Sequence, residues 1–296
     1  MTIDIGTTGI WCGFWDAHPT SEVQEAVAEL EELGYSAVWV PETVGRDPFV
    51  AASTMLAATT RLKVATGIAN IYARDPLTMV ACQRTLAEAY DNRFLLGLGV
   101  SHEHLVAKLR KHDFSKPVAY MERYLAAMDE ARYLALGPTE DPGRVLAALG
   151  PRMLGIARDH AAGAHPYLTT PEHTAIAREA LGPDRLLAPE QMCVLETDPT
   201  EARRIARQWL SMYLRAPNYL NNLKRLGFDE SDWPDHNTPS DHLVDSLVAW
   251  GTPEDVKARV DEHRTAGADH VCVQVLESEM VMPRDGWRRL AEVLLD

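Results

Sequence analysis

RLKVATGIANIYARDP, residues 61–76, spells out a complete strand-to-helix unit. Leu62, Val64, Ala65 and Ile68 give the apolar pattern of a buried strand, and a polar loop then runs into Asp75-Pro76. An Asp at that point accepts hydrogen bonds from unpartnered N–H groups of a helix. A Pro at the first helical position lacks only an N–H that would have had no partner. Turns of this kind are where α/β proteins keep their chemistry, so Thr66-Gly67-Ile68-Ala69-Asn70 is the first place to look for a site.

The same punctuation recurs. Asp47-Pro48, Thr170-Pro171, Asp198-Pro199 and Thr252-Pro253 also pair a capping residue with Pro, and Thr252 with Asp255 has capping-box spacing. Val23, Val27, Leu30 and Leu33 share one helical face closed by Gly34; Val256, Val260 and Ala266 do the same before Gly267. Short apolar strands alternating with amphipathic helices predict parallel β/α architecture. Eight strands are expected, at 5–11, 37–40, 62–68, 94–100, 145–149, 164–168, 187–195 and 270–276. A (β/α)8 TIM barrel takes about 250 residues. The 296 residues therefore predict one domain with an insertion between strands 7 and 8, at 215–241, where the alternation lapses into Asn, Pro and acidic residues. A doubly wound sheet would show a Gly-x-Gly-x-x-Gly after its first strand, and Gly6-Thr7-Thr8-Gly9 does not fit.

Composition narrows the function. A net charge of −14 argues against nucleic acid, whose phosphates need a basic surface. No apolar run approaches the roughly 18 residues of a membrane span, and a basic-then-apolar leader is lacking. Cys12, Cys82, Cys193 and Cys272 are scattered without metal or disulfide spacing. A cytoplasmic protein acting on a small molecule is expected, with no nucleic-acid or membrane partner.

Three strand-end motifs then point to a family. Trp39-Val40-Pro41-Glu42 after strand 2, the 66–76 stretch after strand 3, and Asn92 to His102 through strand 4 resemble the luciferase-like barrel superfamily. Ala148-Leu149-Gly150-Pro151-Arg152-Met153 and Ala164-His165-Pro166-Tyr167 extend the match over nearly the whole chain. Within the superfamily the chain most resembles the branch that uses the deazaflavin coenzyme F420, typical of actinobacteria. The resemblance implies a coenzyme F420-dependent oxidoreductase, often a homodimer, holding its coenzyme in the C-terminal mouth of the barrel. An FMN-dependent monooxygenase on the same barrel and a non-catalytic flavin-binding barrel are the alternatives.

It also implies site residues. Gly67-Ile68 is expected to be a cis peptide whose bulge props the coenzyme ring, with Asn70 offering its amide nearby. Glu42 lies where similar proteins bring an acidic residue near the ring; it is a candidate proton carrier, or else a partner for Arg46. Thr43 stands where some F420-dependent dehydrogenases carry a catalytic His, so chemistry by that route is doubtful. Gly97 and Gly99 permit close approach of ring or helix. Ser101 is expected to cap the next helix and meet the coenzyme tail, and His102 to move a proton near neutral pH. His102-Glu103-His104 lacks a third metal ligand, so no metal is expected. Gly150, Pro151, Arg152 and Met153 open a helix whose N-terminus suits the coenzyme phosphodiester. Trp11, His165 and Tyr167 are expected to wall the substrate pocket.

Overall fold

In the computed structural model, which describes residues 4–295, all sheet pairing is parallel. The strands are β1 (Thr8–Trp11), β2 (Ala37–Val40), β3 (Lys63–Thr66), β4 (Ala69–Asn70), β5 (Phe94–Gly99), β6 (Arg144–Leu146), β7 (Gly163–Ala164), β8 (Leu186–Leu187), β9 (Glu190–Val194), β10 (Val248–Trp250) and β11 (Val271–Val275). Hydrogen bonds run β10-β9-β11-β1-β2-β3-β5-β6-β7-β8, with β4 on β5. β8 and β9 are one run of chain broken at Pro189, which has no N–H to give. Across that break Ala188 and Glu190 donate to the Ala164 and Pro166 carbonyls, both at 2.9 Å, and the Cys272 amide donates to Pro189 at 3.0 Å. The run thus joins β7 to β11 and closes the sheet into the expected TIM barrel.

The helices are α1 (Thr20–Leu33), α2 (Pro48–Ala57), α3 (Pro76–Ala89), α4 (Pro117–Asp129), α5 (Pro151–His160), α6 (Pro171–Leu181), α7 (Pro199–Tyr213), α8 (Pro217–Arg225), α9 (Asp241–Leu247), α10 (Pro253–Thr265) and α11 (Arg284–Leu294). Every Asp/Thr-Pro pair read from the sequence starts one. Asp47, Asp75, Thr170, Asp198 and Thr252 each accept from a first-turn backbone N–H, and Thr252 and Asp255 complete a capping box. Gly34 and Gly267 close their helices at φ +100° and +104°, where a side chain would be strained.

Two apolar layers result. One lies between strands and helices and runs around the molecule. The other fills the barrel, from Trp11, Ala37, Trp39, Ala65, Leu95, Val145, Ala188 and Cys272. Several strands end earlier than predicted. β3 stops at Thr66, just ahead of the cis Gly67–Ile68 peptide, and β7 stops at Ala164, just ahead of Pro166. The chain between β9 and β11 holds α7, α8, α9, β10 and α10, so residues 215–241 are only part of the extra material, and β10 was not foreseen.

Candidate active site at the barrel mouth

On the strand 2 to strand 4 side, charged groups are tied to one another. Arg74 Nη1 donates to both oxygens of Glu42 at 2.9 and 2.8 Å, the Asn70 amide donates to Glu42 Oε2 at 2.8 Å, and Arg110 approaches at 3.8 Å. Arg74 Nη2 reaches Asp47 as well. Glu42 therefore does not pair with Arg46, whose guanidinium bonds the Trp15 and His18 carbonyls. Asn70 Oδ1 accepts from the Tyr72 amide at 2.9 Å, which fixes its own loop.

The Gly67–Ile68 peptide between these groups is cis, and the Gly67 carbonyl accepts from Trp11 Nε1 at 3.2 Å. A Cβ on Gly67 would lie 2.9 Å from Trp11 Nε1 and 3.1 Å from His165 Nε2, so on that face the bulge packs closely against the barrel interior. The strand 4 glycines likewise make room for the bulge. A Cβ on Gly97 would sit 2.0 Å from the Thr66 carbonyl oxygen, and one on Gly99 2.4 Å from Ile68 Cδ1.

The strand 5 to strand 7 side has the opposite character. α5 begins at Gly150 with no side-chain cap, Pro151 has no N–H, and the first-turn amides of Arg152 and Met153 face outward beyond the strand end. Met153 buries its side chain in the helix layer, leaving its backbone for any ligand, while Arg152 is exposed. Arg225 from α8 lies against this turn, its Nη1 3.3 Å from where a Gly150 Cβ would be. Lys224 beside it bridges to Glu230, whereas no acidic side chain among the described residues bridges Arg225. One turn earlier on the same face of α8, Asn222 is 2% exposed and its Nδ2 has no partner. A cation at the positive end of a helix, with a buried amide donor unpaired alongside, is an arrangement that an anion completes. His173 steadies the turn from below through its Nε2 and the Leu149 carbonyl, 2.9 Å apart.

α8 also reaches the other strand ends. Asn218 Oδ1 lies 3.3 Å from His102 Nδ1, and the Tyr219 ring stands 5.4 Å from the His102 ring and 6.2 Å from Tyr167. Burial is the main cause holding the His102 pKa below its ordinary value, with the Asn218 bond opposing it. Ser101 takes φ +59° and does not cap: the next helical turn, a π-helix over His104–Leu109, starts at Glu103 without a side-chain cap.

Aromatic groups enclose the centre. Tyr167 donates to Gln274 Oε1 at 2.8 Å and meets the Tyr213 hydroxyl at 2.7 Å, while Trp11 lies 5.0 Å from the Tyr167 ring. Burial pushes Tyr213 up to about 12 and Tyr167 and Tyr219 well above the ordinary tyrosine value. Beneath them His165, 1% exposed, stacks on Trp39 at 4.1 Å and bonds the Ala188 carbonyl through Nδ1 at 2.7 Å. It lies deep beneath the tyrosines, on the floor of the mouth. Trp39 Nε1 donates to His270 Nε2 at 3.1 Å, and His270 Nδ1 donates to the Gly6 carbonyl at 2.9 Å. Burial drives both histidines down to about 4.

Glu190, on strand 7 facing the interior, is 1% exposed; Oε2 accepts from the Leu168 amide at 3.2 Å and Oε1 has no partner. Burial pushes its pKa up to about 8, against the pull of the Leu168 N–H. Sequence reading missed Glu190, Gln274, Tyr213 and Arg225, while Tyr219 and Asn222 belong to the insertion it set over the mouth. Among the described residues no group of three or more His, Cys, Asp and Glu could hold a metal, and no helix is long and apolar enough to cross a membrane.

Comparison with known proteins agrees with this architecture. An F420-dependent secondary alcohol dehydrogenase solved with an F420-acetone adduct superposes with a TM-score of 0.80 at 14% identity, covering 100% of both chains. A type II Baeyer-Villiger monooxygenase component of Pseudomonas putida, solved with FMN, gives 0.71 at 13% identity over 98% of this chain and 97% of that one. In sequence, a Mycobacterium tuberculosis protein provisionally named a coenzyme F420-dependent oxidoreductase is 30% identical over 117 residues. That is 40% of this chain, which thus spans about a third (34%) of that relative's length. The 5,10-methylenetetrahydromethanopterin reductase of Archaeoglobus fulgidus is 22% identical over 84% of this chain and 88% of its own. The luciferase-like monooxygenase profile matches residues 7–270, and the chain belongs to that family.

Proposed function

We propose that the protein is an oxidoreductase that passes hydride between coenzyme F420 and a small organic substrate. The observation that carries this reading is the anion cradle of the α5 N-terminus, Arg225 and the unpartnered Asn222 amide, across the mouth from the Gly67–Ile68 bulge. A phosphodiester fits that donor set, and Arg152 adds a second cation at its edge. The name of the Mycobacterium relative supports the same coenzyme. When bound, a 5-deazaflavin supplies two-electron hydride transfer and reacts poorly with oxygen.

The chain's own residues do the rest. Arg225, Asn222 and the first-turn amides hold the phosphodiester. Trp11, Tyr167, Tyr213 and Tyr219 wall an apolar substrate body, and the tyrosine hydroxyls engage an oxygen upon it. His102, at the rim, exchanges the reaction's proton with solvent. Its neutral ring accepts through Nε2 while Nδ1 holds Asn218. Residues 215–241, the insertion between strands 7 and 8, act as a lid over the mouth, with α8 its inner face.

Thermal-shift titration with F420 and with FMN tests the reading. A coenzyme at 100 times its dissociation constant stabilises by about 2.7 kcal/mol. Stabilisation by F420 alone is expected; an equal or stronger response to FMN would overturn it in favour of a monooxygenase. His102→Asn should lower kcat by about 100- to 10,000-fold with coenzyme affinity unchanged.

A further inference from the structure

The chain is acidic overall, yet residues 108–116 (KLRKHDFSK) carry four Lys or Arg against one Asp. The end of that loop and the first turns of α4 enclose a cleft of about 250 Å³ with Tyr72, which lies two residues past β4. Its walls are Tyr72, His112, Asp113, Lys116, Tyr120 and Arg123. The Tyr72 ring stacks on Tyr120 at 4.4 Å, and the Arg123 guanidinium lies 5.7 Å from the centre of the Tyr120 ring. Tyr124, further along α4, donates its hydroxyl to the Arg74 carbonyl at 2.9 Å. The cleft therefore backs onto the tied charges of strands 2 to 4 and is not part of the mouth.

The donors in this cleft are unspent. Its one carboxylate, Asp113, gives both oxygens to Ser115, at 2.9 and 3.0 Å, and leaves Lys116 and Arg123 without a bridge among the described residues. Tyr72 is 8% exposed, and its hydroxyl is buried with no partner. Burial pushes that hydroxyl up to about 12, with Tyr120 and Asp113 adding to the rise and Arg123 opposing it, so it stays a neutral donor. The three groups it feels all line the cleft, which is where it faces. A buried donor costs stability until an acceptor reaches it, and two free cations beside it name the acceptor's charge.

We infer that this cleft is an anion site separate from the α5 cradle, taking a small molecule that bears a phosphate or carboxylate group. Lys116 and Arg123 flank the oxyanion, and the Tyr72 hydroxyl donates to one of its oxygens. The stacked Tyr120 ring holds Tyr72 in place, so the site is built before the ligand arrives.

Calorimetric titration of the Arg225→Ala protein, in which the α5 cradle is disabled, isolates this site. Inorganic phosphate and succinate are titrated separately, at constant ionic strength in chloride. Saturable binding at one site per chain is expected for at least one of them. The ion that saturates at lower concentration identifies the phosphoryl or the carboxylate source. Adding Lys116→Ala or Tyr72→Phe should weaken that binding by about 10- to 100-fold. Tyr72→Phe should unfold in urea no earlier than its parent, because the deleted hydroxyl has no partner to lose. Saturation by neither ion overturns the proposal, as does binding that survives unchanged in both variants. A Tyr72→Phe protein less stable than its parent overturns it too, since the hydroxyl would then already be satisfied.

Discussion

The two sides of the mouth are built on opposite principles. Around strands 2 to 4, Glu42, Arg74, Asp47 and the Asn70 amide satisfy one another, and Ile68 is seated against Gly99. Around strands 5 to 7, the buried Asn222 Nδ2 and Glu190 Oε1 have no partner, and Arg225 stands at a helix N-terminus. A satisfied network rigidifies whatever it holds, whereas an unsatisfied one costs stability until something completes it. The first side is a finished scaffold; the second is shaped for what binds.

Acid should break the barrel floor beneath both sides most severely. His165 and His270 are neutral in the fold at about 4, against 6.5 when exposed. The unfolded chain then binds more protons, so stability is complete above pH 6.5 and lost as pH falls toward 4, at about 3 kcal/mol for each histidine. Urea unfolding across that window should show the loss, and His270→Gln should flatten it. A slope unchanged in the variant would dissociate the floor from acid stability.

Removing one scaffold charge comes next. Glu42→Ala strands most of Arg74's bonding and should cost about 3–5 kcal/mol in urea unfolding. A cost below about 1 kcal/mol would mean that the two sides are equally loose. On the other side the sign divides between folding and binding. Arg225→Ala should leave unfolding within about 0.5 kcal/mol and weaken F420 binding by about 1.5–3 kcal/mol, read by calorimetry. Asn222→Leu should be the mildest, stabilising the free protein by up to about 1 kcal/mol while lowering coenzyme affinity. A destabilised Asn222→Leu protein would place that amide with the scaffold.

The same contrast sorts what the sequence disclosed. Asp47, Asp75, Thr170, Asp198 and Thr252 announce their helices because a cap acts on amides two or three residues away. The barrel followed from that local grammar, and the strand ends from the barrel. β10 stayed hidden because Val248–Trp250 follows directly on α9 and is too short to show a period. Gly97 and Gly99 were legible as close approaches, but what approaches is Thr66 and Ile68 rather than a ring. Arg225 meets Gly150 only after α8 has folded back across some seventy positions of chain, and no spacing rule reaches that far. Glu190 hid behind Pro189, its place in the barrel fixed by the break in strand 7.

α8 spans the mouth with one face: Asn218 at His102, Tyr219 at Tyr167, Arg225 at Gly150. If α8 holds coenzyme at one end and walls the substrate at the other, as proposed, occupancy becomes sequence in time. Product-inhibition patterns should therefore be compulsory-order, with coenzyme first on and last off. Departure of the coenzyme would then be paced by the swing of α8, so that turnover feels the viscosity of the solvent even where hydride transfer does not.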